Sequence, residues 1–222
     1  MIKTDDYIST LIALLKQIYH ERLLYVGMQG SYLRGEATEQ SDIDIMVVID
    51  NISVDDLDEY RKAICSLEGY DKSCGFICGI EELQNWNPLE ICHLLHTTKD
   101  YFGKLADLIP QYTEEDVRNF VKMSLCNLYH EICHRYIHGS KEKNIANIPY
   151  TYKSVFFILQ NLHYLNSGRF INTKKELLEA LSGKDKRILE TAISLQEGAS
   201  FDFDEVFALL FSWCKETMVK IL

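Results

Sequence analysis

At 222 residues, 47% of them apolar, the chain has the length for one large or two small domains with sizeable cores. It holds 33 acidic and 23 basic residues, net −10, and the excess is local: residues 1–110 carry 19 acidic and 9 basic groups, residues 111–222 carry 14 of each. An acidic first half argues against an extended nucleic-acid footprint and favours a divalent metal or a cationic substrate.

No apolar run reaches the roughly 18 residues of a membrane span. The N-terminus lacks the basic-then-apolar pattern of a secretion signal. Seven cysteines in no zinc-site spacing read as buried, reduced thiols, and a cytoplasmic location is expected.

In chain order, Ile8, Leu11, Ile12, Leu15 and Ile18 predict an amphipathic helix over 5–20. The run Leu23-Leu24-Tyr25-Val26 predicts a buried strand that ends in a turn at Gly30-Ser31, and Ile43 to Ile49 predicts a second strand. Asp55 to Glu68 reads as a helix, Ser73 to Ile80 as a third strand, Glu81 to Trp86 as a turn or short helix, and Leu89 to Leu95 as a helix. The alternation predicts an α/β unit with a small mixed sheet. After Pro110 no strand pattern returns. A Thr113-Glu114-Glu115-Asp116 helix start opens a long helix ending near Gly139, and Ser140 to Pro149 reads as a polar loop. Four more helices follow, so a helical bundle over 111–222 is expected after an α/β domain over 1–110.

The chemistry concentrates in Gly30-Ser31-Tyr32-Leu33-Arg34-Gly35-Glu36-Ala37-Thr38-Glu39-Gln40-Ser41-Asp42-Ile43-Asp44. Gly30 lets the backbone approach a ligand closely, and Ser31 adds a hydroxyl and an N–H suited to phosphate. Asp42 and Asp44, two apart on a strand, share a face, and such paired hard oxygens suit Mg²⁺.

This stretch resembles the core motif of the DNA-polymerase-beta-like nucleotidyltransferase superfamily, with Arg34, Gly35, Ala37, Ser41, Asp42, Ile43 and Asp44 in register with the bacterial small-molecule enzymes. The run from Lys153 to Phe157 and on through Gly168 to Lys174 resembles the C-terminal segment of the aminoglycoside-type members. The resemblance implies a Mg²⁺-dependent enzyme that transfers a nucleoside monophosphate from a nucleoside triphosphate, ATP first among them. The acceptor would be a hydroxyl of a small molecule, such as an aminoglycoside, or of a protein. It further implies Asp42 and Asp44 as metal ligands, with Gly30, Ser31, Arg34, Ser41, Lys153 and Lys174 on the nucleotide. The family pattern also wants a third carboxylate on a later strand. The third strand here, Ser73 to Ile80, holds no acid, so Asp71 before it and Glu81 and Glu82 after it are the candidates, with Glu81 or Glu82 as the base.

Two rival readings stand beside this one. His130-Glu131-Ile132-Cys133-His134 matches H-E-x-x-H, the helix motif of zinc hydrolases with the Glu as base, and His138 continues the same face. The missing third acid leaves room for a catalytically weakened nucleotide-binding regulator of antitoxin type. Arg135 and His138 stand too close together for the Arg-to-His spacing of a helical ribonuclease toxin.

Overall fold

The computed structural model describes residues 3–221, which divide into two compact units, the first ending at Tyr112 and the second beginning at Thr113. The first unit is built on a four-stranded sheet in the order β3-β2-β1-β4: β1 (Leu23–Gln29), β2 (Ile43–Ile49), β3 (Ser73–Gly79) and β4 (Lys99–Phe102). The β2/β3 pair is parallel and the other two are antiparallel, so the sheet is mixed. β4 is absent from the sequence reading because Lys99 and Asp100 break any apolar alternation, and the strand is recruited by pairing with β1.

Alternation along β2 decides what covers each face. Ile43, Ile45, Val47 and Ile49 pack against Tyr7, Ile8, Leu11, Leu15 and Tyr19 of α1 (Thr4–Tyr19) and Ala63 of α3 (Val54–Cys65). Met46 and Val48 face the other way, toward Tyr25, Cys78, Leu83 of α4 (Ile80–Gln84) and Leu105. Asp44 belongs to this second face, ahead of Met46.

One polar clamp fixes the far end of the β1/β2 pair. Arg22 donates to both oxygens of Asp56 (2.8 and 3.1 Å) and to Asp50 (2.9 Å), while the Tyr19 hydroxyl donates to the Asp56 carbonyl. Asp56 also closes the capping box of α3 with Ser53. The Arg22 and Ser53 bonds hold the Asp56 carboxyl well below the ordinary carboxylate range.

Between the strands lie α2 (Gly30–Leu33) and, after β3 and α4, α5 (Pro88–His96). The second unit, among the described residues, is helical: α6 (Glu114–His138), α7 (Lys141–Thr151), α8 (Lys153–Ser167), α9 (Lys174–Ala180), α10 (Gly183–Gln196) and α11 (Phe203–Lys220). The Thr113–Asp116 capping box starts α6, and Val117, Val121, Leu125, Leu128 and Ile132 form its buried stripe. The buried Tyr152 hydroxyl donates to the Val206 carbonyl and Trp213 donates to Asp185, while Gln160 Oε1 and Asn172 Oδ1 are buried without a partner among the described residues.

The polar loop expected over 140–149 is instead α7. Ser140 caps it, Ile148 and Thr151 are buried, and Pro149 is carried inside the helix rather than ending it. The thiols also depart from expectation: Cys78, Cys92 and Cys214 are buried, but Cys65, Cys74 and Cys126 are exposed, and all seven are free. No helix among the described residues is long and apolar enough to cross a membrane.

Gly75 sits in β3 at φ +117, and a Cβ on it would overlap the Ile45 backbone of the neighbouring strand. Strain and overlap together predict that Gly75→Ala costs ~3 kcal/mol or more. That corresponds to a fall of roughly 10 °C or more in the melting temperature. A melting temperature equal to the parent's would contradict this placement of β3.

Candidate active site

The motif residues converge at the end of the sheet where β1 stops and β2 begins. Gln29, the last residue of β1, pairs with Asp44. Gly30 follows at φ +74, and a Cβ there would overlap the Asp44 carboxylate. The Gly30-Ser31 turn and the Asp44 side chain are therefore in direct apposition, which only glycine permits. Glu36 N–H donates to the Ser31 carbonyl (2.9 Å) and Gly35 N–H to the Tyr32 carbonyl (3.2 Å), so the turn folds back on itself before the chain reaches β2.

Not every motif residue is free for a ligand. The Arg34 guanidinium bonds to Glu36 at 3.0 Å, with both side chains largely covered. The Ser41 hydroxyl accepts from the Thr38 N–H (2.9 Å) and closes the turn that delivers Asp42. That bond fixes the turn ahead of β2. Lys153 and Lys174 belong to the second unit. Lys153 lies over the Tyr150 ring, and Lys174 bonds to Gln196 (2.7 Å).

Register resolves what the sequence left open about β3. Cys74 is the parallel-strand neighbour of Asp44, so Cys74, Phe76 and Cys78 line the face that carries the carboxylates. Partial burial, the neighbouring Asp44 carboxylate and the charge of Asp42 raise the pKa of the Cys74 thiol above the ordinary thiol value. The position beside the aspartates thus holds a neutral thiol.

Glu81 and Glu82 lie on α4 (Ile80–Gln84). They leave the sheet after Gly79, which pairs with Ile49, five pairs along from Asp44 and Cys74 and so about 16 Å away at the rise of a strand. Glu82 sits against Gly79 and acts electrostatically on Cys78. Asp71 lines a cavity of about 810 Å³ with Tyr7 and Thr10 of α1.

The zinc-hydrolase geometry also fails. Glu131, its would-be base, is paired with Arg135 (3.2 Å) and accepts from Thr151 (3.0 Å). No group of three or more potential ligands is gathered anywhere among the described residues.

Three residues flank the carboxylate face, and two of them, Gln29 and His93, escaped the sequence reading. Gln29 donates to Thr98 at 2.8 Å beside Asp44. Trp86 stacks on Phe76 (5.7 Å between centroids) and covers the carboxylate face beyond Cys74. His93 of α5 is pushed down to about 4 by burial, then by the nearby charges of Arg34 and His96, so it stands neutral beside Arg34 at pH 7.

A family model described as "Nucleotidyltransferase domain" matches residues 8–76, from within α1 to Phe76 in β3. A "Putative protein adenylyltransferase" of Methanocaldococcus jannaschii is 38% identical over 69 residues, covering 30% of this chain and 69% of that protein. The crystal structure of a spectinomycin adenyltransferase from Enterococcus faecialis, with ATP and spectinomycin, superposes with a TM-score of 0.59. Its identity to this chain is 16%, covering 97% of this chain and 99% of that one, a likeness of fold.

His93 generates a pH prediction. Unfolded, it takes up a proton near 6.5; folded, not until about 4. The unfolded state therefore binds more protons between these values, and stability falls as pH drops through that window. The melting temperature should decline from pH 7 to about 4, and His93→Gln should flatten part of that decline. An unaltered profile in the variant would contradict the burial of His93.

Proposed function

The chain belongs to the nucleotidyltransferase family, a family of transferase enzymes, and from that premise we propose that it moves an adenylyl group from Mg·ATP to a hydroxyl. The observation that carries the reading is the apposition of the Gly30-Ser31 turn with Asp44. A triphosphate laid on the turn meets backbone N–H groups and the Ser31 hydroxyl, and its α-phosphoryl group faces the two carboxylates.

Asp42 and Asp44 offer hard oxygens in a cradle that lacks a Cβ, which fits Mg²⁺; the Cys74 thiol does not add to that donor set. When bound, the ion supplies charge neutralisation at the phosphoryl oxygens. The chain's own residues do the rest by positioning. The Gly30-Ser31 turn fixes the triphosphate, and the Arg34–Glu36 pair braces the end of α2. The acceptor oxygen forms its bond to the α-phosphorus as the bond to the bridging oxygen breaks. Pyrophosphate leaves, and the acceptor proton passes to water, because no carboxylate of β3 is there to take it.

The acidic first unit favours a cationic, hydroxyl-bearing small acceptor of aminoglycoside type over a protein hydroxyl. A second reading, nucleotide binding with slow turnover in a regulatory role, is favoured by one specific observation, the thiol next to Asp44.

The experiment is a pyrophosphate-release screen with Mg²⁺, the common nucleoside triphosphates, and a panel of aminoglycoside and protein acceptors. Asp44→Asn should abolish Mg-dependent ATP binding by calorimetry while leaving the melting curve intact. Cys74→Asp should raise turnover by about 100-fold, the low end of the range for a positioned base. Retained Mg·ATP affinity in Asp44→Asn would overturn the site. Brisk parental turnover that Cys74→Asp lowers would place the base elsewhere.

A further inference from the structure

The nucleotide chemistry leaves one cluster of metal-ligating side chains unused. His130, His134 and His138 recur every four residues along α6, and all three are exposed. Their rings stand one above another, with centroids 6.0 Å apart for His130 and His134 and 4.8 Å apart for His134 and His138. Their contacts are with each other, whereas the interleaved Glu131 and Arg135 are bonded to one another and to Thr151.

Chelate geometry distinguishes the two pairs. An imidazole nitrogen lies about 2.0–2.1 Å from a bound Zn²⁺, which puts the ring centre about 3.2 Å from the ion. At ligand angles between about 90° and 109°, two such rings have centres about 4.5–5.2 Å apart. The 4.8 Å separation falls inside that interval, and the 6.0 Å separation falls outside it. His130 and His138, eight residues apart, are separated by about 12 Å of helix and cannot share one ion.

We propose that His134 and His138 form a two-imidazole chelate for a divalent transition ion of the Zn²⁺, Ni²⁺ or Cu²⁺ class, with water completing the coordination. Imidazole suits these ions and discriminates against Mg²⁺, so the site is chemically separate from the aspartates. The last turn of α6 adds to the attraction. His138 is its final residue, and the helix carbonyls there present partial negative charge to a cation. A bound ion bridges the last turn to the one before it and holds the helix end against fraying.

The test titrates the full chain with Ni²⁺ or Cu²⁺ alone, in excess Mg²⁺ to occupy the carboxylates, and follows it by calorimetry. The parent and His130→Ala should bind one ion per chain with similar affinity. His134→Ala and His138→Ala should each weaken it by at least about 10-fold, the least expected when a ligand is removed rather than a group supporting one. With Cu²⁺, paramagnetic resonance should report two imidazole nitrogens in the parent and one in His138→Ala. Far-ultraviolet dichroism checks that each variant keeps its helices. No bound ion, full affinity in His134→Ala, or a loss in His130→Ala equal to that in His138→Ala overturns the assignment.

Discussion

The site depends on how closely the turn after β1 passes under Asp44. Gln29 and Asp44 are the last pair of the β1/β2 ladder, and Gly30 occupies the spot that a side chain would need for itself. A positive φ and a carboxylate overhead make this position glycine's alone. Register keeps the approach in place. Ile43, Ile45, Val47 and Ile49 are all buried on the α1 side, and a slip of one residue would expose them and bury the aspartates. The Arg22 clamp onto Asp50 and Asp56 holds the opposite end of the same two strands. Arg22 and Asp50 are exposed and only Asp56 is largely covered, so these pairs serve geometry more than net stability.

The same register explains the oddest feature of the site. Parallel pairing sets Cys74 beside Asp44, so the group that completes the carboxylate face is a thiol kept neutral by its surroundings. A neutral thiol offers little to Mg²⁺. In the proposed mechanism two carboxylates would hold one ion together with triphosphate oxygens, and the chemistry would lean on positioning rather than on a general base. Phe76 and Trp86, stacked on the same face, add an apolar wall beside the reacting groups.

Much of this is legible in the residues themselves. Strand and helix periodicity announce α1, β2, α6 and α8, and the Gly-Ser and Asp-x-Asp elements announce their own apposition, because one ends a strand and the other begins the next. What escaped is whatever depends on partners distant in sequence. β4 has two charged residues in four and becomes a strand only by pairing with β1. α7 has few apolar residues and a proline, and its helicity rests on burying Ile148 and Thr151 against the bundle. The face on which Cys74 lies is a property of pairing, and so is the distance that removes Glu81 and Glu82 from the aspartates. Arg34 and Ser41 match a motif by name, yet their side chains are engaged by Glu36 and Thr38.

The central claim is that the Gly30-Ser31 turn and the Asp42/Asp44 pair receive one Mg·triphosphate without help from β3. A crystal structure of the chain with Mg²⁺ and a non-hydrolysable ATP analogue tests it most directly. The account predicts triphosphate density on the Gly30 and Ser31 backbone, an ion with Asp42 and Asp44 oxygens in its shell, and the Cys74 sulfur outside that shell. A triphosphate bound away from the turn, or an ion ligated by Glu81 or Glu82, would contradict it.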